Sequence, residues 1–192
     1  MKIKKVNLNF EIEGLKTPLG FKGGYLKDIW QIVVYLETSE NYSIGLGTQS
    51  ILWSDAGVFS SHSQAGSNML MYAVTEYAAN LLKEREIENP ISAQEEIFND
   101  VHSYACYITG KKDLRKTFTL NALVALDNAL WVLYAKENNL LDFYEMIPEE
   151  YRKSLTHQHT EIACIPLISY GVPMEDIERE VKEGFFTLKI KI

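Results

Sequence analysis

Along the first third of the chain, apolar residues recur at every second position. In "KIKKVNLNF" the apolar set is Ile3, Val6, Leu8 and Phe10, imperfectly phased at the start; "IWQIVVYLET" is β-branched and aromatic; and "YSIGLGTQ" returns after the turn "SEN". Strand side chains alternate between two faces, so these runs predict a small antiparallel sheet. Between the first two runs, "LKTPLGFKGGYLKD" is rich in glycine with one proline and reads as a mobile loop. After the third, "GTQSILWSDAGVFSSHSQAGSN" reads as a second long loop. Its large apolar residues, Trp53 and Phe59, are expected to fold back onto the protein or onto a ligand.

The period then changes. Over residues 64–88, Leu70, Val74, Tyr77 and Leu81 recur at helical spacing, and Asn89 with Pro90 closes the segment. Ser92 and Glu95 have the spacing of a capping box, Ile97, Val101 and Tyr104 continue as a helical stripe, and Gly110 ends it. The strongest helix is "RKTFTLNALVALDNALWVLYAKENN", with Leu123, Leu126, Leu130 and Leu133 in one stripe and alanines that let neighbours approach closely. After the polar "PEEYRKSLTHQHTE" come an apolar strand-like run, "IACIPLISYG", and a short helix, "VPMEDIEREVKEG". That helix carries Glu175, Asp176 and Glu178 early, Lys182 late and Gly184 as its C-cap. A final strand follows directly, so the strand–helix–strand unit predicts a parallel pair. The expected fold class is an α+β domain over residues 1–150, an antiparallel sheet followed by helices, joined over residues 151–192 to the beginning of a parallel α/β structure.

Composition narrows the functional classes. The chain has 192 residues, 46% hydrophobic and 23% charged, as in ordinary globular proteins, and its net charge of -7 argues against a general nucleic-acid or anionic-membrane surface. The charged N-terminus does not read as a secretory signal, and no apolar run is read as reaching the roughly 20 residues of a membrane span. Cys106 and Cys164 are expected to be buried small hydrophobes in a reducing cytoplasm. No P-loop, Gly-x-Ser-x-Gly, zinc-spaced Cys/His set or Rossmann glycine fingerprint is present.

The last strand, "EGFFTLKIKI", places Thr187, Lys189 and Lys191 on one face and Phe186, Leu188, Ile190 and Ile192 on the other. By itself the lysine row reads as a protected sheet edge, an anion contact or an inward-facing pair. The order of elements, with "ALVALDNALWVLYAK", "IPLISYG" and the closing Lys-x-Lys, resembles the enolase superfamily, in particular its mandelate racemase, muconate lactonizing enzyme and dipeptide epimerase group. The resemblance implies an α+β capping domain over a (β/α)8-type barrel with its site at the C-terminal ends of the strands. It implies a racemase, epimerase or cycloisomerase in which a base removes the proton α to a carboxylate, assisted by Mg²⁺. Lys191 then corresponds to the base and Lys189 to its electrostatic partner. Like charge and reduced solvation inside a barrel favour a neutral amine, bringing a lysine from an unperturbed pKa of about 10.4 toward neutrality.

The same resemblance implies two capping segments, residues 17–26 and 48–68, closing over a small carboxylate substrate. Phe21, Lys22, Trp53, Ser169 and Tyr170 are the expected substrate contacts, Lys22 by pairing with an anionic group. Further copies of the chain are the expected protein partners, with neither nucleic acid nor membrane. The acidic metal ligands of the family belong to the third to fifth barrel strands, so no metal ligand is expected in this chain and its residues alone are expected to be inactive. The "GLGT" of residues 45–48 stands where the family often has Gly-x-Gly-Glu. His157, His159 and Glu161 read as a surface linker, Asp127 as a structural acceptor between helices, and Asp55 as solvated. The rival reading is a non-catalytic α+β module whose loops hold a ligand or partner.

Overall fold

Strands β1 (Lys5–Phe21), β2 (Gly24–Glu37) and β3 (Tyr42–Thr48) form one sheet in that order, with β2 and β3 antiparallel. The computed structural model describes residues 1–21, 24–157 and 159–191. The chain divides into two compact units: Met1–Ile12 with Trp30–Ile147, and Glu13–Ile29 with Pro148–Ile192.

In the first unit the period-two pattern becomes a buried face. Trp30, Ile32, Val34 and Leu36 of β2 are buried, and so are Ser43, Gly45 and Gly47 of β3. Against this face pack α3 (Gln64–Leu82), α4 (Pro90–Thr109) and α5 (Lys116–Glu137), which follow the short helices α1 (Ile51–Ser54) and α2 (Ala56–Ser61). The leucine stripe read from the sequence is the centre of the core: Leu123, Leu126, Leu130 and Leu133 are at most 1% exposed. By length and composition α5 also meets the description of a membrane span, contrary to the sequence reading, but its apolar stripe is spent on the sheet and on α3 and α4.

Strand β3 is a sheet edge, and α5 covers its backbone. Asn121 Nδ2 donates to the carbonyl of Thr48 (3.1 Å), Asn128 Nδ2 to Leu46 (2.8 Å) and Lys136 Nζ to Tyr42 (2.7 Å). Edge carbonyls that would otherwise template another strand are thereby occupied. Ser43 Oγ donates to the Ala129 carbonyl at 2.8 Å and Thr75 Oγ1 to that of Ala122 at 2.7 Å, so the buried hydroxyls are satisfied by the same helix.

Several local expectations change. The first presumed loop is strand through Phe21 and again from Gly24. The second is largely helical, with α1 and α2 inside it. Helix α3 stops at Leu82 because the following residues pair with the N-terminus: Glu84 N donates to the Ile3 carbonyl and Ile87 N to that of Met1, both at 2.8 Å. Asn89, not Ser92, caps α4; its Oδ1 accepts from Ser92 N at 3.0 Å and Pro90 fills the first helical turn, where a missing N–H costs nothing. Gly110 ends the helix in the left-handed region as expected, at φ 67°.

In the second unit, β4 (Leu167–Ile168) and β5 (Lys189–Ile190) pair in parallel, with Leu167 opposite Lys189 and Ile168 opposite Ile190. Between them runs α7 (Met174–Lys182), and a 3₁₀ turn (Glu149–Leu155) precedes β4; α6 (Phe143–Met146) lies at the end of the first unit. Acidic residues in the first turn of α7 and basic ones in the last complement its dipole. Only two residues of each strand pair, and of these four Ile168 alone is buried. Phe186 is 87% and Ile190 61% exposed, and Ile192 lies outside the described residues. Cys164 is exposed rather than buried, because the apolar residues around it in sequence, Ile162 and Ile165, are themselves uncovered; Cys106 is half-buried against the core.

Candidate functional site

The second unit carries a cleft of about 380 Å³ where the chain leaves β4. One wall is the turn over residues 169–173. Gly171 adopts φ 81°, which only glycine takes without strain, and lets the chain reverse into α7. The other wall comes from the facing ends of β1 and β2, with Thr17, Tyr25 and Lys27. The two walls meet closely: a Cβ on Gly20 would lie 2.3 Å from the Tyr170 carbonyl oxygen, and one on Gly171 would lie 2.9 Å from the Tyr25 hydroxyl. Glycine at 20 is what allows the strand backbone to reach the turn.

The chemistry of the cleft is two aromatic walls and two charges. Tyr25 and Tyr170 are exposed rings that can hold a flat or apolar group. Lys27 is an exposed cation, whereas the carboxylate of Asp176 is engaged by Arg179 at 2.7 Å. An anionic group entering the cleft therefore meets an available ammonium.

Ser169 and Tyr170 line this cleft together. Lys189 N donates to the Pro166 carbonyl and Lys191 N to that of Ile168, both at 2.9 Å, so the ladder runs on past the paired residues. Continued by one residue, the parallel register sets Ser169 beside Lys191, on the face that also holds Leu167 and Lys189. Lys189 is exposed and Lys191 half-buried, and two strands do not close around them, so the shielding expected from a barrel is not supplied by these residues. Phe21 ends β1 and is half-buried, Trp53 lies on α1 in the first unit and is 44% exposed, and Lys22 lies outside the described residues. Tyr25 and Lys27 were not singled out from the sequence. Their signal was the period-two alternation of "YLK", which the glycines before it disguised as loop.

Other candidates resolve as structure. His157, His159 and Glu161 are exposed, and among the described residues no group of three or more His, Cys, Asp or Glu side chains can hold a metal ion. Burial pushes the Asp127 carboxyl up, only partly offset by donors on Trp131 and Gln94; the Gln94 bond ties α4 to α5. Asp55, expected in solvent, is 3% exposed.

A three-stranded sheet, a set of helices and then a parallel β–α–β unit make a fold that this chain shares with part of several solved epimerases. All of this chain superposes on 46% of a dipeptide epimerase from Enterococcus faecalis V583 complexed with Mg and L-Leu-L-Tyr, at TM-score 0.60 and 20% identity. It likewise covers 44% of a dipeptide epimerase from Cytophaga hutchinsonii complexed with Mg and D-Ala-L-Val, at TM-score 0.63 and 18% identity. The third comparison, N-succinyl Arg/Lys racemase from Bacillus cereus ATCC 14579, has TM-score 0.62 and 18% identity over 100% of this chain and 44% of that one. At such identities the shared property is the fold, and the chain spans less than half the length of these proteins. No family model matches the chain. Among curated proteins it is 24% identical over 142 residues to Synchronized import protein 1 of Saccharomyces cerevisiae, covering 69% of this chain and 23% of that protein, too little to carry a functional argument.

Proposed function

We propose that this chain is the capping domain and first barrel unit of an enolase-superfamily racemase or epimerase acting on a small carboxylate such as a dipeptide. The observation that carries the reading is the parallel β4–β5 pair. Continued by one residue, its register has Lys189, Lys191 and Ser169 on one sheet face, and of these three Ser169 lines the cleft. In this reading Lys191 takes the proton from the carbon beside the carboxylate, and Lys189 is its neighbour on the same sheet face. Tyr25 and Tyr170 flank the substrate, and Lys27 pairs with its anionic end.

Mg²⁺ accompanies the substrate in the epimerase structures. The described residues of this chain do not fit it, since among them no three acidic or other ligating side chains converge. The water-free surroundings a lysine base needs have to come from strands beyond the two described.

The test is α-proton exchange. Intact protein incubated in D2O with L,L-dipeptides is expected to incorporate deuterium at one α-carbon, followed by proton NMR. Lys191→Ala abolishes the exchange and Lys189→Ala slows it strongly. Undiminished exchange in Lys191→Ala would remove the proposed base and favour a binding module with the same fold.

A further inference from the structure

His102 and Cys106 stand four residues apart on α4, one helical turn from each other on the same face. Their Nε2 and Sγ atoms are 3.8 Å apart. That is a loose contact for a thiol–imidazole hydrogen bond, yet close to the spacing of two ligands on one cation. Bonds of about 2.3 Å to sulfur and about 2.05 Å to nitrogen, meeting at a tetrahedral angle, set the two atoms about 3.5 Å apart. Opening the angle to about 120° reaches the separation seen here.

The imidazole is held for this task from outside the pair. His102 Nδ1 lies 2.8 Å from Oγ1 of Thr119, a fully buried residue of α5. The ring also lies parallel to Phe98, at 5.9 Å and 4°. With Nδ1–H donating to the threonine oxygen, the Nε2 lone pair faces the sulfur, the arrangement by which metal-ligating histidines are fixed in tautomer and orientation. Cys106 is half-buried, with one side toward solvent. Neither side chain has much freedom left to lose.

We propose that His102 and Cys106 form a two-ligand chelate for a thiophilic cation with a filled d shell, such as Zn²⁺ or Cd²⁺, with water completing the coordination. Binding replaces the thiol proton, which is released to solvent, so each cation bound liberates one proton. A soft thiolate and an imidazole select against hard Mg²⁺, which takes oxygen ligands, so the site is independent of the enzymatic reading above. Half of a four-ligand set gives micromolar rather than nanomolar affinity.

Cd²⁺ titration of metal-free protein tests this. Wild type and Cys164→Ser are expected to develop thiolate-to-cadmium ultraviolet absorbance saturating at one equivalent, with excess Mg²⁺ unable to compete. Cys106→Ser abolishes the band. His102→Ala, or His102→Gln should the alanine variant fail to fold by circular dichroism, weakens binding at least about tenfold, and Thr119→Val weakens it by about 10-fold to 100-fold. Absence of the band in Cys164→Ser overturns the proposal, as does wild-type affinity in both histidine variants, which would reduce the contact to a single thiol.

Discussion

Gly45→Ala is expected to destabilise the first unit by about 3 kcal/mol or more, beyond the usual cost of one added methylene in a core. The new Cβ would lie 2.1 Å from the Ala125 carbonyl oxygen, 2.3 Å from the Ala129 amide nitrogen and 2.8 Å from the Ala129 Cα. All three are backbone atoms of α5, so no rotamer change relieves the overlap. The whole helix has to retreat from β3. That retreat breaks the Ser43–Ala129 hydrogen bond and opens the packing of Leu126 and Leu130, both fully buried. Gly47→Ala is next in severity, its Cβ meeting the Ala125 nitrogen at 2.6 Å. Gly14→Ala is the control: nothing lies within 4 Å of its Cβ, and alanine in a strand is no worse than glycine. Urea midpoints should follow the order Gly45→Ala, Gly47→Ala, Gly14→Ala, least stable first. Adding Ala129→Gly should not rescue Gly45→Ala, because the clash is with main chain. A Gly45→Ala midpoint equal to wild type, or rescue by the second substitution, would contradict the close approach of β3 and α5.

The same contact shows what could be read in advance. The alanines of α5 were legible as a means of close approach, and the alternation of β3 as a strand; pairing Gly45 and Gly47 with Ala125 and Ala129 needed the three-dimensional register. Glycine misled where it served close packing rather than flexibility. Gly20 lies in a strand pressed against the Tyr170 carbonyl, but in the sequence it stands beside Pro18, Gly23 and Gly24 and looks like loop. The βα unit was legible because helix dipole charges, Gly184 and the alternating lysines agree with one another. Burial was the least legible property: Cys164 has apolar neighbours in sequence and Ile190 belongs to an alternating apolar row, yet both have little cover in space. Asp55 is the reverse case, a charged residue among small polar ones that turns out to be internal.

Asp55→Ala is the second large effect expected, a loss of about 3 kcal/mol. The carboxylate caps α2, its Oδ1 accepting from Gly57 N at 2.9 Å and Val58 N at 3.1 Å. Oδ1 also accepts from Lys111 Nζ at 3.1 Å, and Oδ2 from Arg115 N at 3.2 Å, so one side chain joins α2 to the connection between α4 and α5. Alanine removes the cap and leaves an ammonium and a main-chain N–H without their acceptor. The Lys111 side chain retains 28% of its exposure, which keeps the ion-pair share below that of a fully buried pair. Burial alone would push the Asp55 carboxyl up, but donation from the Arg115 and Val58 amides and from Lys111 outweighs it and holds the group below its ordinary value of 3.8. A depressed folded pKa means that the contribution is complete above the unfolded value and disappears as pH falls through the folded one. Asp55→Asn keeps an acceptor for α2 but loses the charge and turns an N–H2 toward Arg115 N. The stability gap between wild type and Asp55→Asn, from urea unfolding, should therefore be constant near neutrality and narrow from about pH 5 to about pH 2. A gap that does not change over that range would mean that the carboxyl binds its proton equally well folded and unfolded, and the electrostatic account of this joint would be wrong.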